Sequence, residues 1–454
     1  MSPYKIFALP LLGFSTLLAL PGSAETLLSG GSTTVFQEGP NAFAMPLANI
    51  TRANRRAHVV GNSFFNKNWV LSPSSTSARD GLGPLYHARS CSACHVRDGR
   101  GSPTKDGRTG IGLLFRLSIP AKTGGDPNLG LQLAVNATPG TEPEGKVEII
   151  YEMVRENLEG TGAISLRRPE YKLHANPIYG DTHPETRLSP RLAQPLVGLG
   201  LLEAVEEKTI LALADPNDAN KDGVSGRARY VLNPENQQTE LGRFGWKASQ
   251  PSLRLQTAVA FHRDIGITSN IHPEEDFTIS QARIIKPVPR GEPPEIDDMK
   301  LGRVVTYLRT LAPPAQRNLK DQGVVKGEQI FTRAGCAMCH TPVLKTGPNA
   351  YIDELKNQLI RPYTDLLLHD MGDALSDRID KEGVSGREWR TPPLWGIGLT
   401  KTVNGNTFYL HDGRARTLEE AIMWHGGEGL DAKKAYANLP ETQRALLLQF
   451  LHSL

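Results

Sequence analysis

All four cysteines of this 454-residue chain lie in two pentapeptides, Cys91-Ser92-Ala93-Cys94-His95 and Cys336-Ala337-Met338-Cys339-His340. Two thiols three positions apart can reach the two vinyl groups of one porphyrin, and the adjacent His can turn its imidazole under the iron as proximal ligand. Each pentapeptide therefore reads as an attachment site for a c-type haem, giving two covalently bound haems. A structural zinc half-site or a redox-active dithiol also uses Cys-x-x-Cys, but neither chemistry requires His directly after the second Cys, and here it follows both times. With both haems attached, no cysteine remains for a disulfide.

The N-terminus has Lys5, an apolar run from Ile6 to Leu20 and the small-residue exit Pro21-Gly22-Ser23-Ala24, the layout of a secretory signal peptide with cleavage after Ala24. No later segment is long and apolar enough to span a bilayer, so a periplasmic protein that is not membrane-spanning after signal removal is expected. The formal charge of +3 is slight for this length. No Lys/Arg run interleaved with aromatics appears, so nucleic acid is not an expected partner, and Arg52, Arg55 and Arg56 read as a solvated face.

With 44 Gly and 33 Pro, the chain should contain much loop between short helices. The expected fold class is mainly α: two cytochrome c-like haem domains with extensive loops and an N-terminal arm. The boundaries are a signal peptide at 1–24, the arm at 25–80, a first haem c domain with insertions at 81–312, and a second cytochrome c domain at 323–454. Apolar spacing predicts helices over Lys146 to Leu158, Leu188 to Asp215, Ser252 to Asp264 and Met299 to Leu311, the last stopped by Pro313-Pro314. Pro313 to Gly323 reads as a linker, Gly323 to Phe331 as the approach to Cys336, and Glu441 to Leu451 as a closing helix. Two such modules make a duplication plausible, yet no residue-by-residue repeat is legible.

Three further stretches carry a resemblance. Tyr363-Thr364-Asp365-Leu366-Leu367-Leu368-His369-Asp370-Met371-Gly372, Glu388-Trp389-Arg390-Thr391-Pro392-Pro393-Leu394-Trp395-Gly396 and Leu410-His411-Asp412-Gly413-Arg414-Ala415-Arg416-Thr417-Leu418-Glu419-Glu420-Ala421-Ile422 resemble the bacterial di-haem cytochrome c peroxidase superfamily. Ser189-Pro190-Arg191-Leu192-Ala193-Gln194-Pro195-Leu196, Gly198 to Ala204 and Gly242 to Ala248 narrow the resemblance to its di-haem oxidoreductase group, over nearly all of 75–454. That group is also labelled thiol oxidoreductase, a label without support here because haem attachment consumes every cysteine. The resemblance implies that one haem reduces hydrogen peroxide while the other receives electrons from a small redox protein, a cytochrome c or a cupredoxin. It implies His425 as sixth ligand of the second haem, with Met423 as the alternative, and His411 and His369 as hydrogen-bonding neighbours. At the first haem, Ile111 stands where relatives carry a displaceable His, and His87 reads as packed or solvated, which leaves that iron either open or capped by a residue the sequence does not identify. Gln194 and Glu203 match the spacing of the superfamily's distal glutamine and catalytic glutamate. Glu203, inside the apolar run Val197 to Val205, is the candidate proton carrier, and Trp246 the candidate relay between haems.

Asp218-Ala219-Asn220-Lys221-Asp222-Gly223-Val224 alternates oxygen ligands around a turn glycine, so Asp218, Asn220, Asp222 and the Val224 carbonyl could hold Ca2+. Arg229 replaces the Glu an EF-hand needs. Relatives carry calcium between their haem domains. Alternatives to peroxide reduction are an electron-transfer cytochrome without substrate chemistry, a di-haem oxygenase and a partner-protein oxidase. The sequence leaves the oligomeric state open, a homodimer included.

Overall fold

The computed structural model describes residues 28–105, 108–120, 124–160, 162–285 and 293–454. The signal-peptide reading lies outside the described residues. No helix among them is long and apolar enough to cross a membrane.

The mainly-α expectation is overturned: 32% of the chain is helical and 20% is strand, spread over several small sheets. The largest error concerns residues 146–158, expected as a helix. They form the strand Gly145–Leu158, paired antiparallel along its whole length with Gly162–Ala175. Val147, Ile149 and Tyr151 alternate with Lys146, Glu148 and Glu152, a period of two in β-branched and aromatic residues that outweighs the helical reading. The expected helix over Leu188 to Asp215 is also broken. Its first part is the strand Arg187–Leu192, paired with Leu113–Ser118, and only the one-turn helices Leu199–Glu203 and Glu207–Leu211 remain. Pro190 and Pro195 lack the N–H that a helix interior requires.

The other helices lie where their caps place them. Ser252 accepts from the Leu255 N–H and opens Leu253–Ala260, which continues through the π-helical turn Phe261–Ile265. Asp297 opens Asp298–Arg309, Asp321 opens Gln322–Arg333, and Glu441–Ser453 closes the chain. The stretch expected as an arm contains a 15-residue helix, Arg52–Asn66, capped by Thr51.

These helices reveal a repeat that the sequence hides. Arg52–Asn66 packs on Asp298–Arg309, and Gln322–Arg333 packs on Glu441–Ser453. At the first crossing a Cβ on Gly61 would run into the Arg303 carbonyl oxygen and lie 2.7 Å from Tyr307 Cβ; at the second, a Cβ on Gly327 would run into the Leu446 carbonyl oxygen and lie 2.7 Å from Phe450 Cβ. One turn beyond each glycine stands a phenylalanine. Phe65 lies 5.2 Å from Tyr307 and 6.3 Å from His95, while Phe331 lies 5.3 Å from Phe450 and 6.3 Å from His340. The turns Pro195-Leu196-Val197-Gly198 and Pro393-Leu394-Trp395-Gly396 also correspond: Gly198 (φ 68°) and Gly396 (φ 75°) are both left-handed. Two residues on, Gly200 abuts the Arg309 carbonyl and Gly398 the His452 carbonyl, each near the end of its closing helix. The two halves thus share a frame built on the same close approaches.

Between the halves runs a mixed core joining Val197, Leu201 and Leu202 to Leu344, Leu367 and Trp395. The long hairpin adds a second tie. Its Leu158 and Leu166 enter the cluster of Phe331 and Phe450, Tyr171 donates to Asp412 (3.0 Å), and Glu156 pairs with Lys433 (3.1 Å).

Replacing Gly61 or Gly327 by Ala should each cost about 1–3 kcal/mol by overpacking the helix crossing. Gly302→Ala, in the same helix as Arg303 but facing open space, should be neutral or stabilising. Thermal melts of the purified variants check this, and equal midpoints for all three would refute the shared-frame reading.

Candidate haem sites

Cys91–Cys94 form a single helical turn, and His95 follows with its Nδ1 2.8 Å from the Gln194 carbonyl oxygen. A carbonyl only accepts, so Nδ1 carries the proton and Nε2 keeps its lone pair. His340 repeats this with the Tyr363 carbonyl (3.0 Å) and His425 with the Ala421 carbonyl (2.8 Å). Burial lowers all three imidazoles, His340 to about 4, so each is held neutral in the one tautomer that presents Nε2 to a metal. This donor set fits axial ligation of haem iron. Burial also pushes the Cys91 and Cys336 thiols up to about 12, and Cys94 and Cys339 upward. Thiols so protonated are poor redox dithiols, whereas thioether attachment uses them without leaving a buried charge.

The other histidines are differently engaged. His369 Nε2 lies 2.8 Å from Asp365 Oδ2 and Nδ1 lies 2.6 Å from Glu428 Oε2. Burial opposes its charge, yet these carboxylates and Cys339 hold the imidazole well above its ordinary pKa, as a doubly donating imidazolium. Cys339, Asp365 and His369 offer ligand atoms within 4.8 Å of one another, the one such group among the described residues, but His369 has no free lone pair for a metal. Glu428 also accepts from the Ser225 N–H and hydroxyl and from the Asp370 N–H, so it ties the loop after Asp222 to the second site. His411 stacks on Trp389 at 3.7 Å, and burial lowers it to about 3. His87 is buried, with one ring nitrogen 2.8 Å from the Ile111 carbonyl. Met423 is packed in the core beside Leu418 and Trp424.

Beside the first motif is a cavity of about 740 Å³, lined among others by Cys91, Cys94, His95, Gln194, Trp246 and Asp264. Gln194 is held by Arg390, whose Nη2 donates to Oε1 at 2.8 Å. Trp246 donates its indole N–H to the Leu192 carbonyl (2.8 Å) and meets Trp389 edge-on at 6.5 Å. Trp389 belongs to the strand Glu388–Arg390, where it pairs in register with His369, the neighbour of Cys339. An aromatic path therefore runs from the first cavity to the second motif.

Glu203 is elsewhere. Its carboxylate accepts from Arg309 Nε (2.6 Å) and from the Leu253 N–H (2.8 Å), and it does not line the cavity. An apolar sequence neighbourhood suggested a proton carrier, but the chain folds so that the group closes an ion pair. Of the acids that do line the cavity, Asp264 acts on the first motif, and sequence reasoning passed it over. It sits in the π-helical turn, accepts from Gln132 Nε2 (2.8 Å), and acts electrostatically on Cys91, Cys94 and His95. Only its neighbours in space mark it; its sequence neighbourhood Phe261-His262-Arg263 carries no motif.

The expected calcium residues stay together on an exposed loop. Asp218 Oδ1 accepts from the Gly223 N–H, Asp222 Oδ1 from the Val224 N–H, and Asn220 Nδ2 donates to Asp222 Oδ2.

A family model described as "Di-haem oxidoreductase, putative peroxidase" matches residues 24–108 and 175–454. The chain belongs to the di-haem oxidoreductase family. Membership implies haem cofactors and redox chemistry. The unmatched residues 109–174 hold most of the long hairpin, so this oxidoreductase carries a strap that the family model does not describe. No curated relative and no solved structure matches the chain.

Glu203→Gln should destabilise this oxidoreductase by roughly 2–4 kcal/mol, since it leaves the largely buried Arg309 unpaired. Denaturant titration checks the loss, and the absorption spectrum of the protein should be unchanged.

Proposed function

We propose that the protein is an exported, periplasmic di-haem c oxidoreductase that reduces hydrogen peroxide at the first haem with electrons relayed from the second. The observation that carries the proposal is the set of three half-buried imidazoles, each with Nδ1 tied to a carbonyl, two of them directly following Cys-x-x-Cys. His95 and His340 would be proximal ligands, and His425 the sixth ligand at the second site. Among the described residues lining the first cavity there is no other histidine and no methionine, which supports an open coordination position for peroxide there.

A haem held by Cys91, Cys94 and His95 would supply the redox chemistry that splits the O–O bond of peroxide. The rest falls to the chain. Hydrogen peroxide takes two electrons and two protons to give two waters, and Asp264 is placed to move a proton from one peroxide oxygen to the other while Gln132 steadies its carboxylate. Trp246 is the relay from the second site. Trp389 is a poorer carrier of positive charge, because Lys247 Nζ stands 3.9 Å and the Arg191 guanidinium 4.6 Å from its ring centre. A small cytochrome c or cupredoxin would donate electrons near the second haem.

The purified protein should contain two haems by the pyridine haemochrome assay and show one high-spin ferric signal by EPR that responds to peroxide. Two low-spin haems indifferent to peroxide would instead indicate an electron-transfer cytochrome. Asp264→Asn should lower peroxide turnover by about 10²–10⁴-fold at unchanged haem content. Trp246→Phe should slow inter-haem electron transfer in stopped-flow traces more than Trp389→Phe does.

Calcium belongs to the proposal at Asp218, Asn220, Asp222 and the Val224 carbonyl. Binding would redirect carboxylate oxygens that now accept loop N–H groups. Calorimetric titration of chelated protein should show calcium uptake that Asp222→Ala abolishes; no uptake in the unaltered protein would dismiss the site.

A further inference from the structure

The first cavity is unevenly charged. Seven basic side chains line it against three acidic ones, Asp264, Asp377 and Glu382. Some of the cations are paired: Arg191 and Lys247 share Asp377 at 3.0 and 3.6 Å, and Arg229 meets Glu382 at 2.7 Å. Even so, three buried donors, two of them on these paired arginines, have no acceptor. Arg116 Nη1, Arg191 Nη1 and Arg229 Nε are each buried without a hydrogen-bond acceptor. Orphaned donors on cations are costly in a folded protein unless an anion completes them.

The cations also repel one another. Arg116 feels Arg263 and Arg191, and Lys381 feels Arg263, Arg116 and Arg229. Burial first, and then these neighbours, pull Arg116 down to about 9; burial, against the attraction of Asp377, pulls Lys247 down to about 7. A cavity that concentrates self-repelling cations with unfilled donors is built for a ligand with more than one negative charge. The charged groups acting on Cys91 are the carboxylates Asp264 and Asp98, and Asp264 also attracts Arg116. A porphyrin held by thioethers through its vinyl edge directs its two propionates to the opposite edge.

We propose that the basic end of this cavity, centred on Arg116, Arg191, Arg229 and Lys381, binds the two propionate carboxylates of the porphyrin tethered at Cys91 and Cys94. The inference rests on the haem reading above and adds the orientation of the first haem. Arg116 lies in the strand Leu113–Ser118, within residues 109–174 that the family model leaves unmatched, so part of this anchorage is particular to the chain. A soluble anionic substrate would present the same carboxylate or phosphate chemistry, and the test separates the two sources.

The test uses the haem-loaded protein and the variants Arg116→Gln, Lys381→Gln and Arg116→Lys, with Arg56→Gln on an exposed helix face as control. Haem content of the unaltered protein is measured first, and a content of zero retires the haem reading itself, whatever the variants do. With haem present, the two Gln variants should lower the midpoint potential of the first haem and shift its propionate-bending bands in resonance Raman spectra. Arg116→Lys should restore both, and the control should move neither. Unchanged potential and bands in both Gln variants would overturn the proposal; a Soret change on titrating the unaltered protein with inorganic phosphate, lost in those variants, would then assign the cations to a soluble anion.

Discussion

Three backbone carbonyls, those of Gln194, Tyr363 and Ala421, take the Nδ1 proton of His95, His340 and His425, and the geometry around both motifs follows from that constraint. An imidazole so held cannot rotate or change tautomer without giving up a buried hydrogen bond, so its Nε2 lone pair has one direction. At the first site the carbonyl is positioned by the turn at Pro195 to Gly198, which is pinned in turn by the Gly198 N–H donating to the Leu311 carbonyl. Helix packing beneath the histidines completes the support. Gly61 and Gly327 let two helix pairs approach so closely that Phe65 and Phe331 come to rest at equal distances from His95 and His340. The repeat is one of contacts rather than of letters.

The two sites differ in what surrounds this common frame. Around His369 an imidazolium sits bonded between the carboxylates of Asp365 and Glu428, and Glu428 is held down to about 2 by His369 and Ser225 against the effect of burial. Around the first cavity the charge is unbalanced and positive. A tightly bonded environment suits a site that passes electrons with little rearrangement. An open, basic cavity with one carboxylate beside the motif suits a site that binds and protonates a substrate. The long hairpin joins these environments mechanically, with one end in the first half's core and Leu158 and Leu166 in the second's.

Some of this was legible in the chain as written. The Cys-x-x-Cys-His pentapeptides, the helices expected from Ser252 and from Met299, and the motifs that name the family are local, because apolar spacing and attachment motifs act within a few residues. Residues 146–158 read as helical because their apolar residues satisfy both periods, and only pairing with a partner strand decides between them. The surroundings of Glu203 depend on distant residues in the same way. Its burial followed from its apolar neighbours, but its partner Arg309 lies 106 positions away.

The sequence by itself determined that two histidines stand beside paired thiols, where the helices from Ser252 and Met299 run, and the family to which the chain belongs. Only the tertiary structure decided which imidazoles present a lone pair and which are saturated by carboxylates, that Asp264 rather than Glu203 faces the cavity, and that Arg116, Arg191, Arg229 and Lys381 share one basic wall. Protonation, pairing and burial are set by groups distant in sequence, and a chain does not bring those groups together until it has folded.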